Sequence, residues 1–431
     1  MIKRIYAFGG LGGLICGIDF GIIAVAVPYL RALGLYSDEQ IGWIVGGVML
    51  GGLFASACGG WLCDRIGRRT TIRLATLCFV GSIPVICLSG TSFAVILAGR
   101  ILQGLSCGFL SVAMPLYLAE TMAVERRGRG TAIFQLCLGI GLVLAAFAGI
   151  VLARVFGAAD ADASAVHDTT KALAWRINFW WTLLPALWLG LFSLLVPEST
   201  VRNQNGRGKV GLSSDPILSR RYVVPFLLAV AVLTLNKLIG FGCVIPYDVM
   251  LLQKAGLSGS LGNVGDLAIK ATNLATTLLV VGMVDRVGRK KLLKLGTAGL
   301  TVALAMIGML FISFERGWLA PSTAAGLLTL AAFLFLVFAY SFGPGVCVWL
   351  VLSELMPSRI RAKGMSIALF SNQLVAWLLA AEFLPLANAI GFGAVFLVFA
   401  VFGILYFATV LLVPETKGLS LEEIEHLFER K

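Results

Sequence analysis

The sequence predicts an all-α membrane protein, twelve transmembrane helices arranged as two six-helix halves. Three observations carry that prediction. The chain of 431 residues is 59% hydrophobic and 13% charged, with a mean hydropathy of +0.94, a composition that no soluble core absorbs. Its apolar residues gather in runs of membrane length, with polar turns between them. One stretch, Gly59-Gly60-Trp61-Leu62-Cys63-Asp64-Arg65-Ile66-Gly67-Arg68-Arg69, also returns as Gly282-Met283-Val284-Asp285-Arg286-Val287-Gly288-Arg289-Lys290, so the chain is a duplicated object.

The runs fall at about 6–30, 41–62, 72–92, 94–119, 131–153, 177–196, 222–250, 263–284, 292–313, 320–352, 364–389 and 392–413. Several exceed the ~20 residues that a bilayer requires, which predicts tilt or kinking. The first run lacks a small-residue cleavage site and reads as a helix rather than a removed signal. Residues 1–197 form the first half, 198–221 a polar cytoplasmic linker, 222–413 the second half and 414–431 a tail. The tail contains an amphipathic stretch, 421–428, with Ser420 placed to cap it.

A net charge of +12 invites a nucleic-acid reading, but the bases are spread over alternate loops rather than one soluble face. Of the 34 Lys and Arg, 25 lie in the N-terminus, in the loops near 64–73, 126–129, 202–221, 286–294 and 359–363, and in the tail. Arg31, Arg154, Lys171, Arg176, Lys254 and Arg316 occupy the opposite loops. The positive-inside bias then puts both termini in the cytoplasm of a cell whose inner (plasma) membrane holds the chain. The nine Cys show no CxxC pair and read as small core residues, neither disulfides nor metal ligands. No phosphate-cradling GxxxxGK[ST] is present, so ATP is not the expected energy source.

Polar groups inside apolar runs are functional candidates, since a carboxylate in a spanning helix costs several kcal/mol unless paired, protonated or wetted. Asp19 sits within the first run, and Arg100 near the start of the fourth is its natural partner. Such a pair can change protonation when water access changes, because the cation and the burial pull the acid in opposite directions. Lys237 and Lys270 are the other bases inside helices.

The two halves echo each other again at Pro115-x-Tyr117-x-x-Glu120 with Arg126-Arg127-Gly128-Arg129, and at Gly343-Pro344-Gly345, Trp349 and Ser353-Glu354 with Arg359 and Arg361. With the Gly99-Arg100 opening, the repeated Asp-Arg-x-Gly-Arg, Pro197-Glu198-Ser199 and Pro414-Glu415-Thr416-Lys417-Gly418, these motifs resemble the sugar porter family of the major facilitator superfamily from the first helix to the tail.

The resemblance implies two rocking halves around a midplane solute site. It makes Asp19 and Arg100 the proton-coupling pair and the proton the co-transported ion, with no other cofactor. It places sugar hydroxyls or a sugar face against Gln135, Asn273 and Trp349, and the chemistry agrees, since amides donate and accept together and an aromatic face suits the apolar side of a pyranose. The seventh helix departs from the family: Asn236-Lys237 stands where a Gln-Gln pair is expected, and Gly242 replaces a sugar-binding Asn. In the eleventh, Asn-Trp becomes Asn372-Gln373 and a following Asn is Ala376. The C-terminal half of the pocket is therefore rebuilt around Asn236, Lys237 and Asn372. Lys237 calls for a partner, either Asp248, Glu382 or an anionic solute.

The gating set is Asp64, Arg65, Arg68, Glu120 and Arg127 in the first half and Asp285, Arg286, Arg289, Glu354 and Arg361 in the second. An acid at a helix end followed by Arg suits a latch between the halves, and the repeated Asp suits a helix cap or an ion pair across an opening interface. The expected activity is symport of a sugar or sugar-like solute with a proton by a monomeric carrier whose partners are its solute and the lipid bilayer, not nucleic acid. The alternative is carriage of an anion such as a sugar acid or other hydroxy-carboxylate, with Lys237 as counter-ion. A receptor would need a long cytoplasmic extension, and no nucleophile or carboxylate cluster marks an enzyme.

Overall fold

The structure is a computed structural model that describes residues 2–122, 127–157, 168–198, 220–258, 260–356, 361–415 and 423. Fifteen helices appear among these residues. In the first half they are α1 (Ile2–Ala32), α2 (Asp38–Ile66), α3 (Arg68–Cys87), α4 (Phe93–Thr121), α5 (Arg127–Phe156), α6 (Asp168–Trp180) and α7 (Leu183–Leu195). In the second they are α8 (Arg220–Leu238), α9 (Phe241–Lys254), α10 (Ser260–Val287), α11 (Arg289–Glu315), α12 (Thr323–Phe342), α13 (Pro344–Leu355), α14 (Arg361–Ile390) and α15 (Phe392–Leu412). They make twelve segments long and apolar enough to cross a membrane.

Three spans are broken. The seventh divides into α8 and α9 at Gly240, whose φ of +75° is a left-handed conformation that a side chain would strain. The tenth divides at Gly343, ahead of Pro344, which sits at the start of α13 where its missing N–H costs nothing. The sixth divides into α6 and α7 around Trp181 and Thr182. That span begins at Thr169, earlier than the expected 177, so Lys171 and Arg176 belong to a helix rather than to a loop. Lys171 and the aliphatic stem it carries are buried there.

Helix ends follow local chemistry. Ser37 opens α2 with a capping box, its hydroxyl accepting from Gln40 N while the Gln40 side chain accepts from Ser37 N. Ser322 accepts from Ala325 N at 3.2 Å to open α12. Glu315 at the end of α11 accepts from Phe392 N at 2.6 Å and so caps α15.

Glycine sets how closely the helices of one half approach. A Cβ on Gly13 or Gly17 would collide with the Phe134 or Leu138 carbonyl of α5, and a Cβ on Gly104 with the Val48 carbonyl of α2. Such small-residue contacts replace the hydrophobic drive that lipid cannot supply. The two halves meet along α1 with α9, α2 with α14 and α5 with α10. At the end opposite the Asp-Arg-x-Gly-Arg turns, Asp38 joins them, accepting from Asn388 Nδ2 at 2.6 Å and from Arg31 at 3.0 Å. Arg31 also lies 3.2 Å from the Met250 sulfur of α9. Just below, Trp43 meets Trp377 edge to face at 5.5 Å, and a Cβ on Gly42 would strike the Ala381 carbonyl. This far end is closed by direct contact between halves.

Of the linker expected at 198–221, residues 199–219 lie outside the described residues, while Arg220 and Arg221 already belong to α8; the tail beyond 415, including Ser420 and most of the amphipathic stretch, also lies outside them.

Candidate solute and proton site

Asp19 and Arg100 are fully buried, at 0% and 1% exposure, and Arg100 NH1 lies 3.2 Å from Asp19 Oδ1. Neither is alone. Arg100 also donates to Gln103 Oε1 at 2.7 Å and to the Ile44 carbonyl at 3.3 Å, and its guanidinium stands over the Phe179 ring at 5.7 Å. Cys107 donates to the second Asp19 oxygen at 3.3 Å. Arg100 therefore spans α1, α2 and α4, and it lies two turns inside α4 rather than at its opening. Gln103 Nε2 and the Ser106 hydroxyl, a turn away, are buried without a partner. A buried pair this well ordered still pays a desolvation cost that its mutual attraction only roughly offsets, so it is poor as a stabilising device and suited to a change of charge state.

The expected solute-binding side chains are spread over five helices. Gln135 on α5 is exposed and lines a cavity of about 350 Å³ with Ile133, Leu136 and Leu274. Asn273 on α10 is half-buried and donates to the Ser341 hydroxyl of α12 at 3.1 Å. Trp349 on α13 leaves 48% of its surface open, so its face is not committed to packing. Asn372 is committed: it is buried on α14 and its amide donates to the Leu233 carbonyl of α8 at 3.1 Å, tying those two helices together. Asn236 is buried at the end of α8, with Oδ1 3.5 Å from the Tyr340 hydroxyl and Nδ2 unpartnered. Tyr340 in turn stacks on Phe241 at 3.6 Å, just past the break in the seventh span.

Lys237 stands at that break with no ion pair or hydrogen bond among the described residues, and the expected internal partners do not meet it. Glu382 is exposed. Asp248 is buried beside Asp266 and Lys270 of α10 instead. Hydropathy cannot show which way a helix is rotated, and here α9 turns Asp248 toward α10.

The gating set forms pairs, but within halves. Arg68 lies 3.0 Å from both Asp64 and Glu120, and Arg289 Nε lies 3.4 Å from Glu354 Oε1. Among the described residues these pairs join each Gly-containing turn to a helix end of its own half. Asp64 caps no helix; its side chain is 74% exposed. Arg65 stacks over the Trp61 ring at 5.1 Å, and Arg286 is exposed at the matching position. The side chains of Arg127, Asp285 and Arg361 lie outside the described residues.

The cap expected of the repeated Asp comes from residues whose role sequence reasoning missed. Glu198 accepts from Arg69 N at 3.0 Å, and Glu415 accepts from Arg289 N at 3.1 Å and Lys290 N at 3.2 Å. Each half thus closes on itself, the acid after its last span capping the third span of the same half, α3 or α11. Gly67 and Gly288, with φ of +95° and +99°, make the turns that expose those N–H groups. The signal was present in the paired Pro197-Glu198 and Pro414-Glu415.

Known proteins match this arrangement along the whole chain. The family model described as "Sugar (and other) transporter" matches residues 6–205 and 201–428. The arabinose-proton symporter of Bacillus subtilis is 28% identical, over 97% of this chain and 93% of its own. The glucose transporter GlcP of Staphylococcus epidermidis is also 28% identical, over 98% and 96%. Among solved structures, a D-xylose-proton symporter superposes with a TM-score of 0.82 at 24% identity, covering 97% of this chain and 99% of that one. The inward-open form of the xylose transporter XylE from E. coli gives 0.81 at 24% identity, covering 99% and 100%. These relatives are transporters rather than enzymes, the last two establish the fold, and the chain belongs to the sugar transporter family.

Proposed function

We propose that this protein carries a sugar or sugar-like solute into the cytoplasm together with a proton, by alternating access, as a monomer in the inner membrane with both termini cytoplasmic. The observation that carries the proposal is the Asp19–Arg100 pair, a carboxylate and a guanidinium sealed among three helices with no structural task that an apolar pair would not do as well. Asp19 takes up a proton when the far side opens, its hold on Arg100 loosens, and α1, α2 and α4 are free to re-pack around the change. Gln135, Asn236, Lys237, Asn273 and Trp349 contact the solute; Asn372 fixes α14 to α8. The Asp64–Arg68–Glu120 and Arg289–Glu354 groups stiffen each half, so that it moves as one body.

A second reading rests on Lys237. An ammonium inside a helical bundle with no ion-pair or hydrogen-bond partner among the described residues is ready to meet an anion, which favours a sugar acid or another hydroxy-carboxylate. One experiment addresses both. Sealed vesicles holding the protein are given an inward proton gradient and labelled neutral hexoses, pentoses, polyols and sugar acids, with wild type and Lys237→Gln compared. Accumulation of a neutral sugar that survives in Lys237→Gln supports the sugar reading. Accumulation of acids alone, with affinity lost at least tenfold in Lys237→Gln, supports the anion reading, since one charge-assisted contact is worth about 1.5–3 kcal/mol. Accumulation indifferent to the proton gradient contradicts both.

A further inference from the structure

A second group of ionisable side chains lies buried in the C-terminal half. Asp248 on α9 and Asp266 and Lys270 on α10 are at 0%, 0% and 1% exposure. Lys270 is in ion contact with Asp266, one turn away on the same helix, and it also donates to the Gly21 carbonyl of α1 at 3.3 Å. That bond crosses between the halves, two residues beyond Asp19. Asp248 Oδ1 accepts from Val249 N at 2.7 Å and Asp266 Oδ1 meets the Lys270 ammonium, while Asp248 Oδ2 and Asp266 Oδ2 have no hydrogen-bond donor.

No other charge enters this group among the described residues. On α1, Arg31 is spent on Asp38 and Met250. On α8, Lys237 stands near Cys243, and on α14, Glu382 is exposed. Arg154 of α5 is exposed, α12 carries no charged residue, and the charged residues of α11 and α13 sit at helix ends. On α9 itself, Tyr247 donates its hydroxyl to the Ala380 carbonyl, and Lys254, at the end of the helix, stands over the Phe392 ring at 4.1 Å. Two carboxylates and one ammonium leave a net negative charge in a space that excludes water, and like charges at contact distance in such a space cannot both persist. One proton brings the group to neutrality and supplies the donor that the carboxyl oxygens lack.

We propose that Asp248 and Asp266 share one bound proton beside Lys270, a second proton-binding site, filled while the far end is closed. Because Lys270 holds α1 from across the interface, separation of the halves there removes the Gly21 contact and admits water to the carboxyls. The proton is then free to leave and both acids to ionise. This site is independent of the role given to Asp19.

The test is the infrared carbonyl band of a protonated carboxyl, recorded at neutral pH on the purified full-length protein. Asp19, Asp248 and Asp266 are the fully buried acids among the described residues, so the measurement is made in an Asp19→Asn background. That variant should keep the band. Asp248→Asn and Asp266→Asn, each added to Asp19→Asn, should each lose it, since one carboxylate then balances Lys270. A band absent from Asp19→Asn, or unchanged in both double variants, overturns the proposal. If neither double variant gives a folded protein by thermal melt, the Asp19→Asn spectrum alone decides: band present supports the site, band absent removes it.

Discussion

Asp19→Asn is expected to abolish uphill accumulation of solute while exchange of labelled for unlabelled solute continues. The reason is thermodynamic. Holding a hundredfold gradient requires about 2.8 kcal/mol, which a carrier without a coupled ion cannot supply. Exchange needs only the solute-loaded carrier to rock, and the amide imitates the protonated, neutral form of the acid. Removing one partner of a buried pair costs about 3–5 kcal/mol when the other charge is left bare. Here the amide keeps an oxygen for Arg100, which retains Gln103 and the Ile44 carbonyl as well. The exchange measurement therefore serves as the folding control. Uphill accumulation that persists in Asp19→Asn removes Asp19 from the coupling step.

The second large effect concerns the closed far end. Gly42→Leu should leave a folded carrier that binds solute from the far side and fails to transport it. The Gly42 position faces the Ala381 carbonyl of α14 in the other half, so the added side chain clashes only when the halves meet. An overpacking cost of about 1–3 kcal/mol confined to one of two states shifts their ratio roughly 5- to 150-fold toward the other. Gly104→Leu makes the contrast. Its clash, with the Val48 carbonyl, lies inside the first half and is present in every state, so that variant should lose folded protein instead. The comparison is read as solute binding to detergent-purified protein beside transport in vesicles. Gly42→Leu that transports at the wild-type rate contradicts the assignment of this contact to the moving interface.

Much of this was legible in the sequence, and the rest was hidden for a physical reason. Hydropathy counts spans, because burying backbone in lipid demands uninterrupted apolar helices, and the repeated turns divided them into halves. The pairing of Asp19 with Arg100 across 81 residues followed from the cost of leaving either charge alone in a bilayer. What hydropathy does not carry is helix rotation. A helix that is apolar on every side, as α15 is, or whose polar residues are scattered around it, as in α14, gives no phase. So the side to which Asp248 turns, the commitment of Asn372 to Leu233 and the isolation of Lys237 emerged only with packing. Matched residue types suggest a latch across the halves; only distance shows that Arg68 and Arg289 each also join a turn to a helix end of their own half. Glu198 and Glu415 stood in plain view beside their prolines, yet a cap that reaches back over more than a hundred residues leaves no local spacing to read.

Proton coupling is tested most directly by whether a neutral sugar moves protons. Purified protein in sealed vesicles, lightly buffered and with no imposed gradient, is challenged with a neutral sugar that it exchanges, and the external pH is followed. Symport predicts external alkalinisation on addition of the sugar, abolished by a protonophore and absent in Asp19→Asn. Exchange of that sugar with no pH change would contradict proton coupling and leave a passive carrier.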